Sequence, residues 1–308
     1  MKKLIIVYNP RSSQFGRVRD EVLAPSRKLK GWMVGKFEVE DTDVDANAAK
    51  LAKMLDDGDL VVSAGGDGTA TIALNGAMLA KAKDVKLGVL PYGNFNDMAR
   101  SFGMMNFGEA IAIVNGDGGG RVAEAWGLEC LVDGKRWRWG MGYFTIGMFA
   151  EATEEFDNAK HRAKLQTGRK SVAFSWRILV RWYFKNRKRV FIPKFKLNGC
   201  DVAEDVTDYV ALNGKSMAQV MRGGKWYLGA ETFLGVQGRL RSLWRLMVLM
   251  GRSVLRRVPG TETKGDVLEL LEVGDVEIQA EGEYRKFEKV KTVEIRKAKK
   301  PIKVVLKG

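Results

Sequence analysis

The stretch that decides the fold is Ser63-Ala64-Gly65-Gly66-Asp67-Gly68-Thr69. It follows an apolar run, Leu60–Ala64, that is typical of a buried strand, and an alanine-rich helical pattern over Thr69–Lys81 comes directly after it. Glycines let the backbone approach a ligand closely, and the start of a helix offers N–H groups and a positive dipole end to phosphate. No Gly-Lys-Ser/Thr follows, so this is not a Walker loop. The pattern alone fits either a phosphate site or a tight turn capped by Asp67.

A second loop of the same kind lies one unit later. Leu90–Arg100 (LPYGNFNDMAR) follows a strand pattern, Lys86–Leu90, and opens another helix. Strands and helices also alternate before the first loop, which predicts βαβ units and a parallel sheet. The carboxyl ends of parallel strands meet at one edge of a sheet, where ligands bind in open α/β folds. We therefore expect the two loops to lie together.

The pattern changes after Gly116–Gly120 (GDGGG). Short strand patterns then alternate with turn signals such as Asp133-Gly134, and two of the strands are predicted over Ala125–Val132 and Trp137–Phe144. We predict an α/β domain with a parallel sheet over residues 1–118 and a mainly antiparallel β-sandwich domain over residues 119–308. The return of the last strand to the first domain is left open.

Composition excludes several classes of protein. The chain has 308 residues, of which 45% are hydrophobic, enough for two cores. Two cysteines and one histidine are too few for a disulfide framework or a histidine-rich zinc centre. No apolar run approaches the ~20 residues that span a bilayer, and Leu4–Val7 is too short for a signal peptide. We expect a cytoplasmic protein.

Positive charge is concentrated in two stretches. Asn158–Cys200 holds 13 Lys and Arg and no acid, and Thr232–Thr261 holds six Arg and no acid, in a chain of net charge +15. Basic residues mixed with Trp and Phe suit an anionic membrane surface, so Lys160–Lys196 and Arg239–Arg257 are predicted to associate peripherally with one. A packed helix with a solvated basic edge fits Lys160–Lys196 equally well. No recognised nucleic-acid module accompanies the charge, so no nucleic-acid partner is expected.

Four motifs together resemble the catalytic domain of the diacylglycerol kinase family, which includes bacterial lipid kinases and is related to sphingosine kinases. They are Asn9-Pro10-Arg11-Ser12, Gly65–Thr69, Asn75-Gly76 and Pro91–Arg100. Gly142–Ala150 and Glu281-Gly282-Glu283 extend the resemblance into the second part of the chain. The resemblance implies an NAD-kinase/phosphofructokinase-like first domain, ATP and Mg²⁺ as cofactors, and the hydroxyl of a diacylglycerol-like lipid as acceptor.

The resemblance also implies site residues. ATP would be bound by Asn9, Pro10, Ser12, Thr42, Gly65, Gly66, Asp67, Gly68, Thr69, Asn94, Asn96 and Asp97. Asp67 is expected to be catalytic and to organise Mg²⁺. Glu283 is expected to take the proton of the lipid hydroxyl, the other reading being an exposed hairpin charge.

Three positions depart from the family pattern. Ile72 stands where the family has a glutamate, Asn94 where it has a threonine, and Gln237 where some bacterial members have an aspartate that helps hold a structural magnesium. Two alternatives therefore stay open: a kinase of a soluble acceptor, and a catalytically weakened nucleotide- or lipid-binding relative. A homodimer is left open as well.

Overall fold

The structure, a computed structural model, is described here for residues 2–40, 43–147, 149–151, 153, 177–178, 180–181, 183–184, 195–197, 199–201, 207–217, 221–222, 226–238, 242–254, 261–264 and 268–308. The chain forms two compact units, Met1–Trp126 with Lys300–Gly308 and Gly127–Lys299. No helix within the described ranges is long and apolar enough to cross a membrane.

The first unit is built on a six-stranded mixed sheet. Its strand order is β2 (Trp32–Glu38), β1 (Lys2–Tyr8), β3 (Leu60–Gly65), β4 (Lys86–Pro91), β18 (Ile302–Lys307) and β5 (Gly120–Ala125). The first five run parallel and β5 runs antiparallel to β18. Leu4–Val7 is fully buried, as expected for a continuous apolar run in a parallel sheet. The α/β class of this part is confirmed.

Within the described part of this unit, six α-helices connect the strands. They are α1 (Phe15–Val18), which continues through a π-helical turn (Arg19–Leu23) into α2 (Ala24–Ser26), then α3 (Val44–Ala52), α4 (Asp67–Leu79), α5 (Asp97–Phe102) and α6 (Phe107–Asn115). A Cβ on Gly76 would come within 2.6 Å of Leu51 Cδ2, so this glycine allows α3 and α4 to pack closely. The Asn75-Gly76 motif therefore includes a packing residue.

The second unit contains an antiparallel sheet. Its order is β15 (Thr261–Lys264), β14 (Thr232–Gly238), β11 (Asp208–Leu212), β8 (Tyr143–Gly147), β16 (Leu268–Ala280), β17 (Glu283–Lys297), β6 (Leu128–Val132) and β7 (Lys135–Gly140). A branch adds β9 (Phe195–Leu197) and β10 (Cys200–Asp201), and β12 (Ser216–Met217) pairs separately with β13 (Met221–Arg222). The helix α7 spans Leu243–Val254. The mainly antiparallel class of this part is confirmed.

The core of the second unit lies between the central strands. It comprises Leu128, Cys130, Phe144, Ile146, Tyr209, Ala211, Phe233, Val276, Ile278, Ala280, Val290, Val293 and Ile295. Trp137 packs edge-on against Phe144 and Phe287 at its margin. Buried residues alternate with partly exposed ones over Val293–Lys297 at the end of β17, the pattern of a half-buried strand.

Two stretches that were each predicted to be one strand contain parts of two strands. Ala125–Val132 divides at Trp126-Gly127, because β5 joins the first sheet and β6 the second. Trp137–Phe144 divides at Met141-Gly142, where the chain passes from β7 to β8. Pairing of β5 with β18 also carries the first unit to Trp126, beyond the boundary predicted at residue 118.

Candidate functional site

Three neighbouring parallel strands end at the same edge of the first sheet. Tyr8 of β1 pairs with Ala64 of β3, and Gly65 at the end of β3 pairs with Pro91 at the end of β4. The loops that follow these strands therefore begin side by side. This is the edge at which open α/β sheets bind ligands.

The first of these loops is held by its own polar groups. The Arg11 N–H donates to Asn9 Oδ1 at 2.9 Å, and the Ser12 N–H donates to the Asn9 carbonyl oxygen at 3.1 Å. The Gln14 N–H donates to Ser12 Oγ at 3.3 Å. Asn9, Pro10 and Ser12 thus form a tight, half-buried turn directly after β1.

The loop that follows β3 and the loop that follows β4 touch through glycines. A Cβ on Gly93 would lie 2.3 Å from Gly66 Cα, and a Cβ on Gly65 would lie 2.4 Å from Thr69 Oγ1. Both positions exclude a larger residue without movement of the chain. The Tyr92 N–H also donates to the Gly65 carbonyl oxygen at 3.1 Å. The expected meeting of the two loops is therefore present.

Asn96 fixes the conformation of the loop that follows β4. Its Oδ1 accepts from the Gly93 N–H and its Nδ2 donates to the Gly93 carbonyl oxygen, each at 2.7 Å. Its backbone is left-handed, with φ +55°, a conformation that asparagine tolerates better than most residues. Asn94 is exposed in the same loop.

Asp67 lies where α4 begins and faces the start of α5. Its Oδ1 accepts from the Met98 N–H at 3.3 Å, and the carboxylate also accepts from the backbone of Asn96 and Asp97. Burial, and next the negative charge of Asp97, raise the pKa of Asp67 to about 7. A positive charge bound at this place would favour the ionised form of Asp67.

The start of α4 is suited to an anion. Gly66 is its N-cap, and no side chain caps the first turn. The first N–H groups of a helix have no partner within the helix, and they favour negative charge. Phosphate oxygens placed next to Asp67 could accept hydrogen bonds from these backbone N–H groups.

Three other residues from the sequence analysis do not belong to these three loops. Thr42 lies outside the described residues. Ile72, at the position of the family's glutamate, is buried in α4. Glu283, in the second unit, is the first residue of β17 and half-buried.

Glu281, two residues before Glu283, is deeply buried. Its Oε1 accepts from the N–H of Gly142 and from the N–H of Tyr143, the latter at 3.3 Å. Glu281 and Gly282 both have positive φ, +53° and +87°, and form the tight turn that leads to Glu283. These backbone donors fix the Glu281 carboxylate at the turn.

Sequence reasoning missed buried charged residues in the second unit, among them Asp208 and Lys297. Asp208 is fully buried, with Oδ1 accepting from the Phe149 N–H at 2.8 Å and Oδ2 from the Thr207 hydroxyl at 3.0 Å. Lys297 is also buried. The period-two alternation Val293, Ile295, Lys297 places it on the inward face of β17 and could have found it. Asp208 had no comparable signal.

In sequence, the first unit of this chain is similar to known proteins. Residues 3–123 match the family model described as the diacylglycerol kinase catalytic domain. A diacylglycerol kinase of Staphylococcus aureus is 34% identical over 107 residues, and one of Staphylococcus carnosus 32% over 102 residues. These matches cover 34% and 32% of this chain, and 33% and 32% of the relatives, so about a third of each relative is matched. The resemblance found in the sequence is confirmed.

A comparison of folds extends over the whole chain. The crystal structure of a diacylglycerol kinase from Bacillus anthracis is similar with a TM-score of 0.65, covering 99% of this chain and 96% of that one at 16% identity. At this identity the likeness concerns the fold alone.

Proposed function

We propose that this chain, whose residues 3–123 match the diacylglycerol kinase catalytic domain, is an ATP-dependent kinase that phosphorylates a hydroxyl of a diacylglycerol-like lipid. The observation that carries the proposal is the contact between Gly66 and Gly93, which joins two phosphate-type loops beside Asp67 and Asp97. Phosphoryl transfer needs a held donor, neutralised charge and an oriented acceptor, and this edge supplies groups for the first two.

Backbone and side chains would divide the work of binding ATP. The N–H groups of Gly68 and Thr69 at the start of α4 would contact phosphate oxygens, and Gly66 would let the phosphate approach the backbone. The turn of Asn9, Pro10 and Ser12, the loop of Asn94, Asn96 and Asp97, and Thr42 complete the proposed set.

The residues at this edge fit Mg²⁺. Magnesium in kinases is held by one or two carboxylates together with substrate phosphates, and Asp67 and Asp97 supply two carboxylates next to the proposed phosphate position. When bound, Mg²⁺ would neutralise charge that develops on the transferred group. Among the residues that the structure describes, no cluster of three or more His, Cys, Asp or Glu stands ready to hold a metal. The phosphates are therefore required ligands in this proposal.

Glu283 is proposed as the general base. The acceptor oxygen would form a bond to the γ-phosphorus while the bond from phosphorus to the bridging oxygen of ADP breaks, and the hydroxyl proton would pass to a Glu283 oxygen. Glu281 is not proposed as the base because its Oε1 already accepts from two backbone N–H groups.

A screen of acceptors tests this function. Purified protein would be incubated with γ-labelled ATP and either a total lipid extract or a soluble metabolite extract. Labelled product in the lipid fraction supports the proposal, and mass spectrometry identifies the acceptor. Label in soluble products would establish a kinase of a soluble acceptor. Binding of ATP without transfer to either extract would establish a weakened relative.

An anionic membrane is the proposed partner. On α7, Trp244 is 71% exposed and Met247 is 54% exposed, and Arg245 and Arg252 are exposed on the adjoining face. Aromatic and apolar groups flanked by arginines are typical of a surface that meets anionic headgroups. In the other basic stretch, Arg177 and Arg181 are helical and exposed, whereas Lys170 and Lys185 lie outside the described residues.

A further inference from the structure

Lys297 is a buried lysine at the end of β17. Its Nζ donates to Asn213 Oδ1 and, at 2.8 Å, to the carbonyl oxygen of Tyr227. Burial lowers the pKa of its ammonium to about 7. Lysine is almost never buried this deeply without a specific set of partners, so its surroundings require an explanation.

Asn213 relays the position of Lys297. An ammonium can only donate, so the amide oxygen of Asn213 must face Lys297 and the NH₂ group must face the other way. That NH₂ group donates to the Met141 carbonyl oxygen at 2.8 Å. The N–H groups of Asn213 and Gly214 both donate to the Gly142 carbonyl oxygen at 2.7 Å.

The Met141–Tyr143 corner, between β7 and β8, is thereby held on two sides. Asn213 holds the carbonyl groups of Met141 and Gly142, and Glu281 accepts from the N–H groups of Gly142 and Tyr143. A Cβ on Gly142 would lie 2.7 Å from Glu281 Oε2, so the carboxylate packs directly on this glycine. Movement of the corner would therefore move Glu281.

Glu281 in turn sets the turn before β17. Glu281 and Gly282 carry its two left-handed residues, and Glu283 is the next residue along the chain. We propose that Lys297 is a positioning residue that fixes the acids at 281 and 283 through Asn213 and the Met141–Tyr143 corner. Its consequence for catalysis rests on the proposed function, in which Glu283 takes the acceptor proton.

Hydrogen exchange tests the positioning without any need for activity. Lys297→Met keeps the length of the side chain and removes the donor, and Lys291→Met on the exposed face of the same strand is the matched control. In Lys297→Met we expect the amides of Gly142 and Tyr143 to exchange about tenfold faster, while the amides of β3 in the first unit stay unchanged. If exchange at the corner equals that in Lys291→Met, the proposal is overturned.

Kinetics test the catalytic consequence. Lys297→Met should lower kcat about tenfold to a hundredfold with the KM for ATP unchanged, since a displaced acid slows the reaction. A residue that only supports the fold would instead lower the folded fraction and leave kcat per folded molecule unchanged. Lys297→Arg keeps a donor and a charge, and it should restore part of kcat. Faster exchange with wild-type kcat would contradict the role.

A second variant keeps the test open if Lys297→Met does not fold. Asn213→Asp can still accept from Lys297 but cannot donate to the Met141 carbonyl oxygen, so the corner amides should again exchange faster. Unchanged exchange in that variant would contradict the relay. If wild-type protein phosphorylates no lipid, the proposed function fails, and the exchange experiment still decides whether Lys297 holds the corner.

Discussion

Replacing Gly93 by alanine should separate the two glycine loops that are proposed to bind phosphate. The new Cβ would lie 2.3 Å from Gly66 Cα, 3.0 Å from Asn96 Oδ1 and 3.3 Å from Gly66 N. Ordinary carbon–carbon contact begins near 3.4 Å, so the backbones must part by about 1 Å. Overpacking of this kind costs about 1–3 kcal/mol of stability. A displacement of about 1 Å at a phosphate site slows transfer by about a hundredfold.

The assay compares Gly93→Ala with two other variants. Gly66→Ala brings a Cβ to 3.2 Å from Gly93 Cα, so it should disturb the loops less. Gly119→Ala meets nothing within 4 Å and is the neutral control. We expect ATP affinity and transfer rate to fall in the order Gly119→Ala, Gly66→Ala, Gly93→Ala, as measured by calorimetric titration and label transfer. A folded Gly93→Ala protein that binds ATP like wild type would refute the role of the glycine contact.

Three further predictions concern the acids and the basic surfaces. The pKa of Asp67 is about 7 in the folded protein and about 3.8 in the unfolded chain, so the protonated carboxyl contributes stability below pH 4 that is lost as the pH rises to 7. Asp67→Asn should not show this loss of the free energy of unfolding, as measured by urea unfolding across that pH range. The same pH dependence in Asp67→Asn and wild type would contradict the raised pKa. Glu283→Gln should lower kcat about 10²–10⁴-fold. Glu281→Gln should lower the melting temperature, because two buried N–H groups lose a charged acceptor. Equal, small effects of both variants on kcat would exclude Glu283 as the base. Replacing Trp244 and Met247 by serine, or Arg177 and Arg181 by glutamine, should weaken sedimentation with anionic vesicles. The arginine replacements should weaken binding by about 1 kcal/mol per charge, and by less at high salt. Unchanged sedimentation of either variant would exclude the surface that it alters.

Local patterns were sufficient to predict the parallel sheet of the first unit and the meeting of its two glycine loops. The apolar run Leu60–Ala64, the glycines after it and the helical pattern that follows are all close in sequence. Because parallel strands place their carboxyl ends at one edge, the contact between the Gly66 and Gly93 loops followed from the alternation of elements.

The second unit was less predictable because its decisive contacts join distant residues. The break at Met141-Gly142 depends on Glu281, 139 positions from Gly142, and on Asn213. Trp137–Phe144 does contain Gly140 and Gly142, but glycines inside a strand pattern are also typical of a bulge and do not by themselves predict a change of strand. Lys297 lies among other basic residues near the end of the chain, so the local composition does not indicate that it is buried. Only the period-two alternation of the strand indicates it.

The measurement that tests the central claim most directly is the transfer of label from γ-labelled ATP to diacylglycerol in anionic vesicles, by wild type and by Asp67→Asn. We predict labelled lipid with the wild type, and none with a folded Asp67→Asn protein, since that variant lacks the carboxylate charge beside the phosphate loop. Wild-type protein that binds ATP yet labels no lipid, or equal labelling by both proteins, would contradict the claim.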